Sequence, residues 1–435
     1  MDKHDCLLQI GFYENELKEN ILPFWLERCE DKDNGGYFNC FTNDGKTLVS
    51  TDKYTWSQGR FLWLFSKLSR MSCSFTAVQR SQFLRLAKSG RDFLVKHCFL
   101  EDEPLRCVFL MDAKGNPKPV DGYDSLDMSI YADGFVMGGL CQYSIATGDR
   151  ESYEIARRLY ESIMDRYVNF RYKTLPYPIS PEYVMHGFYM SRILHSYDIT
   201  CASDLFDPDY AKGSRVRLKD SIDLLLSMFV DENNNLREVV HRDGSRVSGV
   251  FGNHSNPGHI CEEMWFIQHA ASLLGLDSYT EQCSEILRKG LRNGWDETYG
   301  GLYHFCSVTG GEPKAGKNDP ENEIIYQQLM TGWQDKLWWT HSEALYSTLL
   351  FGTLAGDMEL LDWNRRIFDY TFKVFPNPDR EVGEWIQIQT RDGKPQQKVT
   401  ALPVKDPFHI IRNLIYIIEY LYRLKDEMTI SQRRR

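Results

Sequence analysis

The sequence predicts an all-α protein, an (α/α)6 barrel in which six helix pairs form two concentric rings with short β-hairpins at one end. Two observations lead to this fold class. Twelve segments repeat apolar residues three and four positions apart, the spacing of a helix with one buried face. Short turn segments recur between these helices at intervals of 64 to 82 residues, which is typical of a repeat architecture.

The twelve predicted helices alternate between an outer and an inner ring. The second helix of each pair begins just after a hairpin or its loop, so the inner helices are expected to start at one common end. The predicted helices cover residues 12–29, 54–70, 76–98, 126–147, 153–169, 182–199, 208–229, 257–274, 278–292, 337–355, 359–375 and 407–424. Because a closed ring has no natural cut, residues 1–435 are expected to form a single domain. An open helical solenoid is the alternative.

Six turn segments mark the repeat. The clearest three, residues 33–45, 299–311 and 381–393, are short aromatic or β-branched runs followed by a glycine turn, the pattern of a β-hairpin. Fainter versions occupy residues 105–115, 172–177 and 236–244. The interval after the fifth segment is the longest, and the polar stretch 312–322 is expected to be an insertion there.

Composition and charge exclude several classes of protein. Apolar residues make up 42% and charged residues 26%, which is typical of a globular chain with a sizeable core. The net charge of −10 argues against nucleic acid or an anionic membrane as the main partner. The apolar stretch 410–421 is interrupted by Arg412, Asn413 and Glu419, so we expect no membrane-spanning helix.

The N-terminal residues and the cysteines bear on the cellular compartment. Residues 1–9 are polar and lack the apolar core of a signal peptide. The 11 cysteines are odd in number and include no CxxC pair, so reduced thiols in the cytoplasm are expected. The aromatic content of 13% fits either a large aromatic core or a pocket in which sugar rings pack on aromatic side chains.

Two predicted inner helices start with matching frames that end in histidine. Asn256-Pro257-Gly258-His259 and Asp406-Pro407-Phe408-His409 each offer an N-cap residue, a proline at the first helical position and a histidine at the third. The positive end of the helix dipole should keep both imidazoles neutral near pH 7, so each is a candidate general base. Taken singly, such a histidine more often only fills the first turn.

Carboxylates and a tryptophan accompany these histidines on the same helix faces. Glu262 follows His259 by three positions, and it is expected to orient the imidazole or to bind a sugar hydroxyl. Trp339 and Glu343, four apart, pair an apolar face with a carboxylate, which suits a sugar ring. A core tryptophan beside a paired glutamate is an equally good interpretation.

The remaining candidates are individually weaker. Arg60 follows Trp56 by four positions and is a candidate to stabilise an oxyanion, or else it lies on a salt-bridged face. His186 and the stretch 124–133 open two further inner helices. GxGxxG, P-loop, HExxH and GxSxG motifs are missing from the sequence, and a lone HxxE is a poor metal signal, so we expect neither a cofactor nor a metal.

Four stretches, in order, resemble the N-acylglucosamine 2-epimerase family, which also includes cellobiose 2-epimerases and aldose–ketose isomerases acting on mannose or sulfoquinovose. Together they span nearly the whole chain, and they are specific as a set rather than singly. The stretches are Asp52-Lys53-Tyr54-Thr55-Trp56-Ser57-Gln58-Gly59-Arg60, Asn256-Pro257-Gly258-His259, Lys336-Leu337-Trp338-Trp339-Thr340-His341-Ser342-Glu343 and Phe408-His409.

The resemblance implies an (α/α)6 barrel that transfers protons at C2 of a reducing sugar. It implies that His259 and His409 are the acid/base pair, and that the substrate-binding residues are Arg60, Glu262, Trp339, Glu343, Tyr54 and His186. His341-Ser342-Glu343 is closer to the acylglucosamine branch of the family, whereas the isomerases have a histidine near the position of His186. The substrate branch therefore stays open.

The function expected from the sequence is interconversion of N-acyl-D-glucosamine and N-acyl-D-mannosamine through an enediolate, with a small reducing sugar as the ligand. An aldose–ketose isomerase on the same fold is the first alternative. The others are an (α/α)6 glycoside hydrolase, which would pair Asp124 or Asp127 with Glu262 or Glu343, and a non-catalytic binding barrel. A nucleotide effector and a homodimer are left open.

Overall fold

The structure is a computed structural model that describes residues 2–101, 103–317 and 319–434. Nearly all of its regular structure is helical. The α-helices are Lys3–Asn15 (α1), Leu22–Arg28 (α2), Thr55–Leu68 (α3), Ala77–His97 (α4), Ile130–Thr147 (α5), Arg150–Val168 (α6), His186–Phe206 (α7), Pro208–Phe229 (α8), Gly249–Gly252 (α9), Pro257–Leu274 (α10), Thr280–Gly294 (α11), Ile324–Gly332 (α12), Trp338–Leu354 (α13), Met358–Val374 (α14) and Phe408–Arg434 (α15).

The predicted helices are all present, with differences at their ends. The first begins earlier than predicted, and the π-helical segment Glu16–Ile21 joins α1 to α2 into one outer element. The last extends to Arg434. The helix predicted from residue 182 begins at His186, because the residues before it form a strand. Helices α9 and α12 were not predicted, since they are only 4 and 9 residues long and each is shorter than the window over which helical periodicity is read.

The inner helices form a closed ring. Helix α3 packs on α5, α5 on α7, α7 on α10, α10 on α13 and α13 on α15, and α15 packs back on α3. Each inner helix also packs against an outer one, from α1 on α15 through α4, α6, α8, α11 and α14. This closure confirms the (α/α)6 barrel and excludes the open solenoid.

Four pairs of short antiparallel strands lie at one end of the barrel. Lys53–Tyr54 (β1) pairs with Leu110–Met111 (β2), Tyr183–Met185 (β3) with Val239–His241 (β4), His254–Ser255 (β5) with Cys306–Ser307 (β6), and Lys336–Leu337 (β7) with Ile388–Gln389 (β8). Strands β1, β3, β5 and β7 each lead directly into an inner helix. The expected common start of the inner helices is therefore confirmed for these four.

The predicted hairpins are reduced to single bridges. Trp295 pairs with Leu302, and Pro376 pairs with Trp385, around their glycine turns. Among the described residues, these local pairings do not extend into a ladder of several residue pairs. Gly301 has a φ of +75°, which a residue with a side chain rarely adopts, so the chain turns too tightly to continue the pairing. The ladders instead join successive repeats, which ties neighbouring units together.

Most of the aromatic side chains belong to the core. Trp25, Trp265 and Trp385 are among the largest fully buried side chains. The aromatic content is thus explained mainly by packing. None of the described helices has both the length and the apolar character needed to cross a membrane.

Two inner helices approach closely at a pair of glycines. A Cβ atom on Gly139 of α5 would lie 2.6 Å from the carbonyl oxygen of Gly59 on α3, and backbone atoms cannot move aside cheaply. Gly213 of the outer helix α8 has open space around its Cα. The two positions therefore test whether close inner-ring packing stabilises the barrel.

We predict that Gly139→Ala lowers the free energy of unfolding by about 1–3 kcal/mol, because the added methyl group forces the inner helices apart. Gly213→Ala should leave it unchanged or raise it by up to about 1 kcal/mol, since alanine favours a helix. Thermal and urea unfolding followed by circular dichroism measure both. Equal effects of the two substitutions would contradict the close-packing account.

Candidate functional site

A cavity of about 440 Å³ opens at the end of the barrel where the inner helices start. Side chains from α3, α10, α13 and α15 line it, and the segment 397–406 closes one side. Five of the eight predicted site residues line this cavity: Arg60, His259, Glu262, Trp339 and His409. The structure thus brings together residues that lie up to 349 positions apart in the sequence.

His259 stands in the first turn of α10, as its sequence frame predicts. The side chain of Asn256 accepts hydrogen bonds from the backbone N–H groups of Gly258 (3.0 Å) and His259 (3.4 Å). The ring Nδ1 lies 2.9 Å from a carboxylate oxygen of Glu238, just before β4. Glu238, from the turn segment before α10, therefore orients this imidazole in place of Glu262. That Glu262 binds a sugar hydroxyl stays a prediction.

The carboxylate of Glu238 decides the charge of His259. Burial by itself lowers the pKa of this imidazole, but the attraction and hydrogen bond of Glu238 outweigh it, so the pKa is raised above the ordinary value. Burial opposes the charge of Glu238 too, yet His259 and His186 bring its pKa down to about 2. The expected neutral state of His259 is therefore not supported. The full negative charge of a carboxylate in contact with the imidazole outweighs the partial positive charge at the helix end.

His409 has a different environment. Its Nδ1 lies 2.7 Å from Glu343, and because a carboxylate only accepts hydrogen bonds, Nδ1 carries the proton and Nε2 is left free. Arg412 donates to the same oxygen of Glu343 at 2.6 Å and also pairs with Glu262. Burial lowers the pKa of His409 to about 3, so the predicted neutral state is supported for this histidine.

One indole ring lies against both imidazoles. The ring centroid of Trp339 is 5.3 Å from that of His259 and 5.5 Å from that of His409. The two imidazoles therefore cannot be farther apart than the sum of these distances, and both line one cavity. Gly258 permits this approach, since a Cβ atom there would lie 2.5 Å from the Trp339 ring.

Arg60 reaches the cavity from α3 and forms a buried ion pair with Asp406. Its guanidinium lies 4.1 Å from the ring centroid of Phe135 and 4.8 Å from that of Phe408. The other oxygen of Asp406 accepts the backbone N–H of Phe408 at 2.9 Å. Asp406 therefore joins the predicted helix cap of α15 to the predicted oxyanion-stabilising arginine.

Three predicted substrate-binding residues lie outside the cavity lining. Tyr54 is half-buried in β1, with its ring edge on Phe109 at 5.7 Å between centroids. Glu343 is fully buried behind His409 and also accepts a hydrogen bond from Trp265 at 2.8 Å. His186 is fully buried behind His259. Direct contact of these three with a sugar is therefore not supported.

The carboxylates proposed for a glycoside hydrolase are not brought together. Asp127 pairs with Arg106 at 3.0 Å, and Asp124 is exposed. Neither lines the cavity that holds Glu262. The structure therefore offers no support for the hydrolase alternative with these residues.

Sequence reasoning missed Glu238, Arg412 and the second role of Asp406. Arg412 follows His409 by three positions, so the helical spacing was a usable signal. Glu238 comes from the irregular turn segment before α10, 21 positions from His259, and no helical spacing relates the two residues. Contacts made by a turn segment depend on how it folds back onto the barrel, which a local pattern does not report.

Two groups of side chains have the donor atoms that metals bind. They are His186, Glu238 and His259, and Glu262, Glu343 and His409, and within each group the ligand atoms lie within 4.8 Å of one another. In the second group Arg412 already places a positive charge between the carboxylates. In the first group Glu238 is hydrogen-bonded to His259. That neither group needs a metal stays a prediction.

The family model for N-acylglucosamine 2-epimerase (GlcNAc 2-epimerase) matches residues 36–412. The chain belongs to the N-acylglucosamine 2-epimerase family. Membership confirms the resemblance inferred from the four sequence stretches and places the chain among epimerases, which are isomerases. All five predicted residues in the cavity lie within the matched region.

A curated relative agrees with this membership, and solved structures agree with the fold. N-acylglucosamine 2-epimerase of Bos taurus is 27% identical over 412 residues, which cover 93% of this chain and 90% of the relative. The structure of cellobiose 2-epimerase from Spirochaeta thermophila has a TM-score of 0.75 at 18% identity and covers 97% and 98% of the two chains. A D-mannose isomerase structure has a TM-score of 0.72 at 14% identity and covers 94% and 98%.

Buried neutral histidines predict loss of stability in acid. Burial lowers the pKa to about 3 for His195, His269, His304, His341 and His409. An unfolded chain protonates these groups near pH 6.5, so between about pH 6.5 and 3 the unfolded state binds more protons. The melting temperature should therefore fall steadily as the pH falls through this range.

The replacement His409→Asn should make this fall shallower, because it removes one of the groups that take up a proton on unfolding. Scanning fluorimetry across pH 4 to 7, with the wild type beside the variant, measures both slopes. A melting temperature that stays constant from about pH 6.5 to 4 would contradict the neutral burial of these histidines.

Proposed function

We propose that this protein is a sugar 2-epimerase that interconverts N-acyl-D-glucosamine and N-acyl-D-mannosamine by proton transfer between C2 and the imidazoles of His259 and His409. The observation that carries the proposal is the pair of imidazoles against one indole in a single cavity. Glu238 biases His259 toward the protonated form, and burial keeps His409 neutral.

The chemistry requires two groups on opposite faces of one carbon. In the open-chain sugar, the aldehyde at C1 makes the C2 proton acidic. A neutral imidazole removes that proton to give a planar enediolate-type intermediate, and an imidazolium delivers a proton to the other face. The configuration at C2 is thereby inverted, and the two histidines exchange protonation states. General acid–base catalysis of this kind contributes roughly 10²–10⁴-fold.

Arg60 is the proposed stabiliser of the charge that develops on O1. Its guanidinium is fixed by Asp406 and by two aromatic rings, so it is oriented before the reaction begins. A preorganised donor of this kind is typically worth about 3–4 kcal/mol in the transition state. Trp339 offers the apolar face on which the sugar carbons pack.

Charge balance in the cavity favours an uncharged sugar. Every lysine and arginine among the described lining residues is already in an ion pair with a carboxylate. These cations are Arg60, Lys398, Lys405 and Arg412. A phosphate, sulfonate or carboxylate on the substrate would need an unpaired cation. We therefore propose a neutral N-acyl amino sugar, and the similarity to N-acylglucosamine 2-epimerases supports that choice.

The same intermediate also allows isomerisation. Return of the proton to C1 instead of C2 gives a ketose, so an aldose–ketose isomerase needs the same imidazoles. Which outcome occurs depends on where the intermediate is protonated.

We predict that the enzyme in heavy water converts N-acetylglucosamine into N-acetylmannosamine, with solvent deuterium at C2 of the product. Proton NMR of a panel that also contains mannose, glucose and cellobiose identifies both product and label. A ketose formed from mannose, without a 2-epimer from N-acetylglucosamine, would assign the isomerase. Binding of a sugar without any deuterium incorporation would refute catalysis at C2.

The roles of the two histidines can be separated. Each imidazole should act on one epimer, so His259→Asn and His409→Asn should each lower the rate of epimerisation by at least about 100-fold. Each variant should still exchange the C2 proton with solvent, but for opposite epimers. Deuterium wash-in at C2, followed separately for the two N-acyl sugars, measures this.

The control variant is His195→Asn, which replaces a buried histidine of α7 that does not line the cavity. It should keep exchange with both epimers. If His259→Asn and His409→Asn lost exchange with the same epimer, the two-sided mechanism would be wrong.

A further inference from the structure

His186 occupies an unexpected place for a histidine. It is fully buried at the start of α7, and its ring centroid is 5.8 Å from that of His259. Its Nδ1 lies 3.8 Å from the Glu238 oxygen that contacts His259, and its Nε2 lies 3.4 Å from Glu263. These contacts form one chain of alternating side chains, the relay chain, in the order His259, Glu238, His186 and Glu263. His259 and Glu238 line the cavity, and His186 and Glu263 lie behind them.

His186 and Glu263, the two members of the relay chain farthest from the cavity, have fewer hydrogen bonds than a purely structural pair would have. Neither ring nitrogen of His186 and neither carboxylate oxygen of Glu263 makes a hydrogen bond of normal geometry with the described residues. Both side chains are fully buried, and burying ionisable groups without such bonds costs several kcal/mol. An apolar pair would fill the same space at lower cost, so packing does not account for these residues.

His186 and Glu263 can influence the charge of His259, because His186 shares the carboxylate of Glu238 with it. Glu238 is attracted by both His259 and His186, so the two imidazoles compete for one carboxylate. Glu263 faces His186 from the opposite side and adds a negative charge behind it when ionised. An opposite charge within about 4–6 Å moves an ionisation by about 1–3 pH units, and a like charge acts in the reverse sense.

We propose that His186 and Glu263 are positioning residues that, through Glu238, fix the orientation and the proton occupancy of His259. This inference rests on the proposed function in one respect, that His259 is the group that reacts. It differs from the sugar-binding role that the sequence suggests for His186, because the side chain lies behind the imidazole and outside the cavity lining.

Other charged groups also face His259. The titratable side chains around it come from the residue before β4, from β5 and α7, from the loop before β6 and from its own helix. They are Glu238, His254, His186, His304, Glu262 and Glu263. Of these, only His186 and Glu263 act on His259 without lining the cavity. Replacing them therefore changes the charge on His259 without removing a group from the substrate site.

The two residues should shift the ionisation of His259 in opposite directions. His186→Asn removes the competitor for Glu238, so the pKa of His259 should rise, by about one pH unit. Glu263→Gln removes a negative charge, so the pKa of His259 should fall by a similar amount. A residue that only fills space would not give opposite shifts.

The test is an NMR titration of histidine Cε1–H signals in the ligand-free, full-length protein from pH 5 to 9, with His259→Asn to assign the His259 signal. His186→Gln is measured beside His186→Asn, so that a variant that fails to fold does not decide the result. His195→Asn is the matched control. It removes a buried histidine from the same helix that has no carboxylate partner among the described residues, and the His259 titration should not move.

Opposite shifts for the His186 and Glu263 variants support the proposal. Shifts in the same direction, or no shift in either folded variant, overturn it. The titration needs no turnover, so it can succeed even if no sugar is epimerised, and that separate failure would refute only the proposed function. Where turnover is measurable, the pH profile of kcat should move with the His259 titration.

Discussion

The site depends on the hydrogen bonds that join each cavity imidazole to a buried carboxylate outside its own helix. Glu238 is 2.9 Å from His259, and Glu343 is 2.7 Å from His409. Each carboxylate fixes the ring orientation and places the proton on Nδ1, which directs Nε2 toward the cavity. Without these partners, two histidines at helix starts would be free to rotate and would have no fixed orientation in the cavity.

The two pairs differ in charge, and that difference suits a reaction with an acid on one face and a base on the other. Glu238 favours the imidazolium of His259, whereas burial, with the nearby charges of Arg60 and Arg412, keeps His409 uncharged. A buried ion pair contributes little net stability, but removing one partner destabilises the protein by several kcal/mol, because the other charge stays buried and unpaired. The closed ring supplies the rigidity that keeps these groups in register.

The fold and half of the site were predictable because they depend on local chemistry. Helical periodicity gave the twelve helices, and the N-cap frames placed His259 and His409 in first turns. The rest depends on tertiary contacts of the strands and turn segments. Tyr54 belongs to a sequence stretch that resembles the family, but its side chain lies outside the cavity lining. Glu238 lies outside the helices, so helical periodicity does not reveal it. Its negative charge favours the protonated form of His259, whereas the helix dipole predicts the neutral form.

The most direct test of the paired imidazoles is a crystal structure with the open-chain alditol of N-acetylglucosamine, which cannot react because it lacks the aldehyde. The account predicts that C2 of this ligand lies between the two Nε2 atoms, about 3–3.5 Å from each and on opposite faces, with the ring of Trp339 beside it. A ligand whose C2 contacts only one of His259 and His409, or contacts both from the same face, would contradict the central claim.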